Sequence, residues 1–156
     1  MISETDLAWA AGIMDADGSV TIQRLFWTSK KDGVKHDRYS LRIHVANTDL
    51  KMLNKLQELF GGPIIKQPKY ISGTGCLNPR NKMAWNWCIH ATKAEAVLRL
   101  ILPYMVTKRE RAEIGLLVRK FARPKGPRGV DPNHGQVVAL YDQMKTLNQR
   151  GVQNLQ

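Results

Sequence analysis

The chain has 156 residues, 43% hydrophobic and 24% charged, which suits one ordinary domain and excludes a disordered chain. The longest apolar run, Leu7 to Met14, is far short of the ~20 residues that span a bilayer, so no membrane helix is predicted. Lys and Arg number 24 against 13 Asp and Glu, a net charge of +11 with a pI near 10.0, and a field of that sign favours polyanions. All of that excess lies beyond residue 60, because residues 1–60 carry eight basic and eight acidic side chains. Cys76 and Cys88 are the only cysteines, too few for a disulfide framework and consistent with a reducing compartment. The acidic start, through Glu4 and Asp6, does not read as a basic targeting segment.

In chain order, Ser3-x-x-Asp6 predicts a capped helix over about 4–14. Strands are predicted over 20–26 and 38–46. The second alternates Tyr39, Leu41, Ile43 and Val45 on one face with Arg38, Ser40, Arg42 and His44 on the other. Asn47-Thr48-Asp49 caps a helix over about 48–60, and Gly61-Gly62-Pro63 stops it. Strands near 63–69 and over 83–90 follow. On the latter, Trp85, Trp87 and Ile89 share the face expected to pack in the core. Thr92 is predicted to cap a helix that runs to about 102, where Pro103 ends or kinks it. Helices over 107–121 and 134–148 flank the Arg123–Gly129 segment, whose glycines and prolines forbid regular structure. The order of elements predicts an α+β fold with an antiparallel sheet.

The first helix carries the sharpest signal. From Leu7 to Met14 it has no polar face, so it must be buried all round. Ala8, Ala11, Gly12 and Asp15 form a stripe of mostly small residues, the spacing that lets a second helix approach closely. At its C-terminus stand Asp15 and Asp17, where the macrodipole is already negative and prefers cations. A positive partner is therefore expected, and carboxylate plus free terminal carbonyls is hard-oxygen chemistry suited to Mg²⁺ or Ca²⁺. An EF-hand is excluded: aligning Gly18 with the loop glycine puts Ile13 at the first ligand position and Arg24 at the last. Cys76, Cys88 and His90 lack the second close pair that a structural zinc site needs.

The segment from Ala10 to Gly18, AAGIMDADG, matches six of the nine letters of the LAGLIDADG motif. The chain thus resembles a single-motif LAGLIDADG homing endonuclease, also through Pro103-Tyr-Met-Val-Thr-Lys108 and Leu147-Asn-Gln-Arg-Gly151. The resemblance implies an αββαββα core over 1–106 with further helices and a basic loop over 107–156, all in one domain. It implies a homodimer whose motif helices pack together. Asp17 matches the metal-binding carboxylate, with the Ala16 carbonyl as a further ligand, and Asp15 plays a structural part. Asn47 sits where relatives often have a water-orienting Gln. Lys51 and Lys108 match basic residues near the scissile phosphate. The implied cofactor is Mg²⁺, with Mn²⁺ as a substitute and Ca²⁺ binding without supporting cleavage.

Base reading is expected from the sheet, whose polar face can lie in a major groove. The residues assigned to it are Thr21, Gln23, Arg38, Ser40, Arg42, His44, Lys66, Arg80, Lys82 and Asn86, with Arg150 contacting the backbone. The expected activity is a metal-dependent double-strand break in a long pseudo-palindromic DNA, leaving short 3′ overhangs. The expected place of action is inside the cell, in a bacterial or phage-infected cytoplasm or the organelle that encodes it. Two other readings use the same scaffold. One is an RNA maturase, a splicing cofactor; the other is a DNA-binding regulator that cuts nothing.

Overall fold

The computed structural model describes residues 2–33, 35–67, 82–122 and 133–149. Helix α1 (Glu4–Ala16) opens as Ser3 predicts, the Ser3 Oγ accepting from the Asp6 N–H at 3.1 Å. It runs two residues past the predicted end, and the chain enters β1 (Gly18–Thr28) at once. Gly18 makes that junction possible, since a Cβ there would lie 2.7 Å from the Met14 Cα. Only a residue without a side chain lets the strand pass so close beneath the helix.

β1 pairs antiparallel with β2 (Lys35–Asn47), from Gly18↔Val45 to Thr28↔Lys35. Both strands extend beyond their predicted ends because the ladder continues past the stretch where apolar residues alternate. Helix α2 (Leu50–Phe60) is capped by Asp49, whose Oδ1 accepts from the Lys51 N–H at 2.9 Å. Gly61 and Gly62, with φ of 68° and 93°, then turn the chain into β3 (Ile64–Gln67). β4 (Ala84–His90) pairs antiparallel with both β2 and β3, and the sheet order is β1-β2-β4-β3. Helix α3 (Ala91–Ile101) starts directly on β4 through Ala91, at φ 50°. Thr92 therefore lies inside the helix instead of capping it, and its Oγ1 accepts from Arg119 at 3.2 Å. A 3₁₀ turn (Leu102–Tyr104) absorbs Pro103 before α4 (Arg109–Phe121) and α5 (His134–Asn148). The predicted α+β class with an antiparallel four-stranded sheet is the observed one.

The core lies on one side of the sheet. Val20, Ile22, Tyr39, Leu41, Ile43, Val45, Trp87 and Ile89 face it, against Leu53 and Leu56 of α2, Leu98 and Ile101 of α3, and Val118 of α4. Trp87 is fully buried, and its Nε1–H donates to the Gly61 carbonyl at 2.8 Å, the partner a buried indole needs. Trp85 is half-buried against the same core. β4 departs from the usual wet-and-dry alternation of an antiparallel strand, because Asn86 and Cys88 on its other face are also buried, at 6% and 4% exposure. No described helix is long and apolar enough to cross a membrane.

Candidate active site and nucleic-acid face

The end of α1, the end of β2 and the start of α4 meet at the two aspartates. Asp17 is the C-cap of α1, its N–H donating to the Ile13 carbonyl at 2.9 Å. Asn47, the last residue of β2, donates from Nδ2 to Asp17 Oδ2 at 2.8 Å. The Asn47 Oδ1 accepts from the Asp49 N–H at 2.9 Å, so both ends of that amide are committed. The other Asp17 oxygen has no hydrogen-bond partner among the described residues, and Asp17 is exposed. Sequence reasoning thus brought Asp17 and Asn47 to one place, and the structure joins them directly. Lys51 stands exposed in the first turn of α2, two residues beyond the Asp49 cap.

Asp15 is spent internally. Its carboxylate accepts from the Val106 N–H at 2.7 Å and the Lys108 N–H at 2.9 Å, and its carbonyl accepts from Thr107 Oγ1 at 3.2 Å. Burial pushes this carboxyl up, but the Val106 and Lys108 amides outweigh it and hold the pKa below its ordinary value.

Lys108 differs from its expected role. Its Nζ donates to the carbonyls of Met14, Ala16 and Gly18 at 3.0, 3.1 and 2.7 Å. An ammonium has three donors, and all three are in use. The positive partner that the end of α1 demands is therefore present in the chain itself, delivered by the α4 N-terminus. Reaching a phosphate would require the side chain to give up at least one of these carbonyls. The Ala16 carbonyl, predicted as a metal ligand, likewise already accepts from Lys108, with one lone pair left. Burial, then Arg111, pulls the Lys108 ammonium below its ordinary pKa, against the opposing pull of Asp15 and Asp17.

The donor set fits a hard divalent cation: an unshared Asp17 oxygen and a carbonyl lone pair are the oxygen ligands such ions take. Among the described residues no three His, Cys, Asp or Glu side chains converge.

The stripe predicted on α1 divides. Ala11 is fully buried in the chain's own core, together with Ala10 and Met14, and is not available to a partner. Asp15 points its carboxylate into the 106–108 turn. Thr5, Ala8, Gly12 and Ala16 are exposed and fall on one side of the helix at 100° per residue. A helix predicted to be buried all round thus shows a narrow open stripe of small residues when the chain is alone.

The polar face of the sheet assembles most of the residues assigned to it. Thr21, Gln23, Arg38, Ser40, Arg42 and His44 share one face through the pairs Thr21↔Arg42, Gln23↔Ser40 and Ser19↔His44. Lys66 does not belong there. It pairs with Trp85, on the helix side, and Ile65 and Gln67 face the other way. A one-residue error in the phase of a short strand reverses every side chain. Asn86 has the right face but is buried, so it presents no edge to a groove. Lys82 is exposed just before β4. Arg80, Arg150 and the Arg123–Gly129 segment lie outside the described residues. Ser19, Gln67 and His90 join the face unassigned, although the alternation that placed their neighbours would have found His90.

Burial, then Arg42 and His90, pushes the His44 pKa down, and burial, then Arg42, does the same to His90. Arg42 Nε and His44 Nδ1 are sealed from solvent without a hydrogen-bond partner among the described residues.

The family model for LAGLIDADG endonucleases matches residues 10–109, from the motif in α1 through the first residue of α4. The DNA endonuclease I-CvuI of Chlorella vulgaris is 28% identical over 124 residues, 77% of this chain and 68% of the relative. Among solved structures, I-CvuI in complex with its target in the presence of Ca has a TM-score of 0.59 at 22% identity, over 93% of this chain and 83% of that one. The archaeal intron-encoded homing endonuclease I-Vdi141I, complexed with DNA, has a TM-score of 0.66 at 14% identity, over 98% of this chain and 90% of that one. These likenesses establish a shared fold, and the family match covers well over half of the sequence. The chain belongs to the LAGLIDADG endonuclease family.

Proposed function

We propose that the chain acts as a homodimer that binds a long pseudo-palindromic duplex and hydrolyses one phosphodiester bond in each strand with a divalent cation, leaving short 3′ overhangs. The observation that carries this reading is the Asp17 carboxylate, exposed at the end of α1, held by Asn47 through one oxygen and open at the other. Asp17 and the Ala16 carbonyl would hold the ion. When bound, Mg²⁺ or Mn²⁺ relieves phosphate charge and acidifies a water, whereas Ca²⁺ supports binding alone. Asn47 fixes the carboxylate's orientation, and Lys51 adds positive potential beside the strand to be cut. Lys108 and Asp15 hold the helix end rigid, so that no reorganisation is needed when the phosphate arrives.

One chain offers one such carboxylate, and a double-strand break needs two. Pairing two α1 helices along Ala8, Gly12 and Ala16 brings the second, and a two-fold dimer reads a two-fold related site. The polar sheet face of each protomer then lies in the major groove of one half-site. In keeping with this, I-CvuI and I-Vdi141I are described in complexes with DNA. We place the activity inside the cell or organelle that encodes the protein.

The test is a plasmid carrying the sequences that flank the protein's own reading frame, joined as an uninterrupted site, incubated with protein and increasing Mg²⁺. The titration runs well above 2 mM, because I-CvuI with the I-CreI target at that Mg concentration holds DNA not cleaved. A linear product with short 3′ extensions is the expected result. Intact plasmid under conditions where the protein is bound overturns the enzymatic reading, and stimulated RNA splicing without cutting replaces it with the maturase.

A further inference from the structure

The polar face of the sheet contains one residue that cannot touch DNA and yet is tied to one that can. Asn86, at 6% exposure, lies in β4 beside the central strand β2. Amide oxygen and nitrogen are told apart by their neighbours. Here the carbonyls of Val45 and Trp87, at 3.2 and 3.1 Å, require the nitrogen, which leaves the oxygen to accept from Arg42 Nη2 at 3.2 Å. Arg42 itself is half-buried in the middle of the face, its Nε sealed from solvent. Its own carbonyl accepts from Thr21 Oγ1 at 3.4 Å across the β1 pair. No acidic side chain pairs with its guanidinium among the described residues. The charge is thus held in place by one neutral amide.

We infer that Asn86 is a positioning residue that aims the Arg42 guanidinium, so that base discrimination at the centre of the sheet depends on a side chain that meets no base. An arginine reads guanine through two parallel hydrogen bonds, and the planar fork discriminates only when its orientation is set beforehand. A carboxylate in the place of Asn86 would also hold the fork, but it would cancel the charge that attracts DNA. The amide orients the guanidinium and leaves the charge free. Its two backbone hydrogen bonds, to adjacent residues of β2 and β4, anchor that orientation to the ladder itself.

The inference rests on the DNA-binding reading above, and the experiment separates the two. Wild type, Asn86→Leu, Asn86→Ser, Arg42→Ala and the double variant Arg42→Ala/Asn86→Leu select duplexes from a randomised library, with thermal melting as the control for folding. The expected result is that Arg42→Ala and Asn86→Leu lose discrimination, by about tenfold, at the same base pair of each half-site. The double variant loses no more than either alone, since the two act through one contact. Asn86→Ser, which keeps a shorter acceptor, is intermediate, and it decides the matter if Asn86→Leu does not fold. Unchanged base preference in a folded Asn86 variant overturns the inference while the DNA-binding reading stands. Selection of no sequence by wild type overturns both.

Discussion

The end of α1 and the polar face of the sheet treat their polar groups in opposite ways. At the helix end the Asp15 carboxylate, the Lys108 ammonium and the Asn47 amide are each committed to partners within the chain. On the sheet face Arg42 Nε and His44 Nδ1 are buried without partners, two of only three such atoms among the described residues, the third being Arg111 Nε. An unmet buried donor costs about 1–3 kcal/mol, so the two regions differ in what they contribute to the folded state. The helix end is a rigid, self-satisfied frame around one open carboxylate oxygen. The sheet face leaves two buried side-chain nitrogens without a partner among the described residues.

Four substitutions test this contrast. Asp17→Asn removes the open carboxylate while keeping a hydrogen-bonding side chain beside Asn47. Cleavage should fall by roughly a thousandfold or more with DNA affinity nearly unchanged, in parallel nicking and gel-shift measurements. Next, Lys108→Met leaves three carbonyls without their donor, and urea unfolding should show a loss of about 2 kcal/mol. If instead stability is unchanged, the ammonium is not the counter-charge of α1.

Asp15→Asn should cost about 1–2 kcal/mol, because one amide oxygen cannot serve both the Val106 and Lys108 N–H groups as a carboxylate does. The sign of its pH dependence follows from the lowered pKa. The wild-type advantage is full above the ordinary value of 3.8 and is lost as pH falls through the lower folded value. A wild-type advantage that grows below pH 3.8 contradicts the assignment.

The smallest effect is expected at His44. His44→Leu removes an unmet polar atom, so stability should stay within about 0.5 kcal/mol or rise. Because the folded pKa of His44 lies below 6.5, the unfolded chain takes up the proton first as pH falls. Wild type should therefore lose stability below pH 6.5, and His44→Leu should lose less over the same range.

Most of the framework was legible because each element carries its own local signal. Ser3 and Asp6 mark the start of α1, Asp49 that of α2, and β2 alternates cleanly from Tyr39 to Val45. Lys66 was misplaced because β3 spans only four residues, Ile64–Gln67, and a strand that short has no periodicity from which to read a face. Asn86 looked exposed because alternation alone cannot show that it is buried on the polar face with the Arg42 side chain reaching its amide from β2. Ala11 looked like part of a partner-facing stripe because a helix apolar all round gives no hint of which side its own core takes.

Residue identity and short-range spacing were enough to show that negative charge at the end of α1 had to be answered. Two carboxylates stand where the helix dipole disfavours them, in a chain with a large basic excess, and both facts follow from residue identity and short-range spacing. What answers those carboxylates was decided only by tertiary structure. Asp15 is met by amides 91 and 93 residues away and the helix carbonyls by an ammonium 92 and 94 residues away. No local rule spans such a separation. The assembled fold therefore spends Asp15 and Lys108 on one another's elements and leaves one Asp17 oxygen without a partner among the described residues.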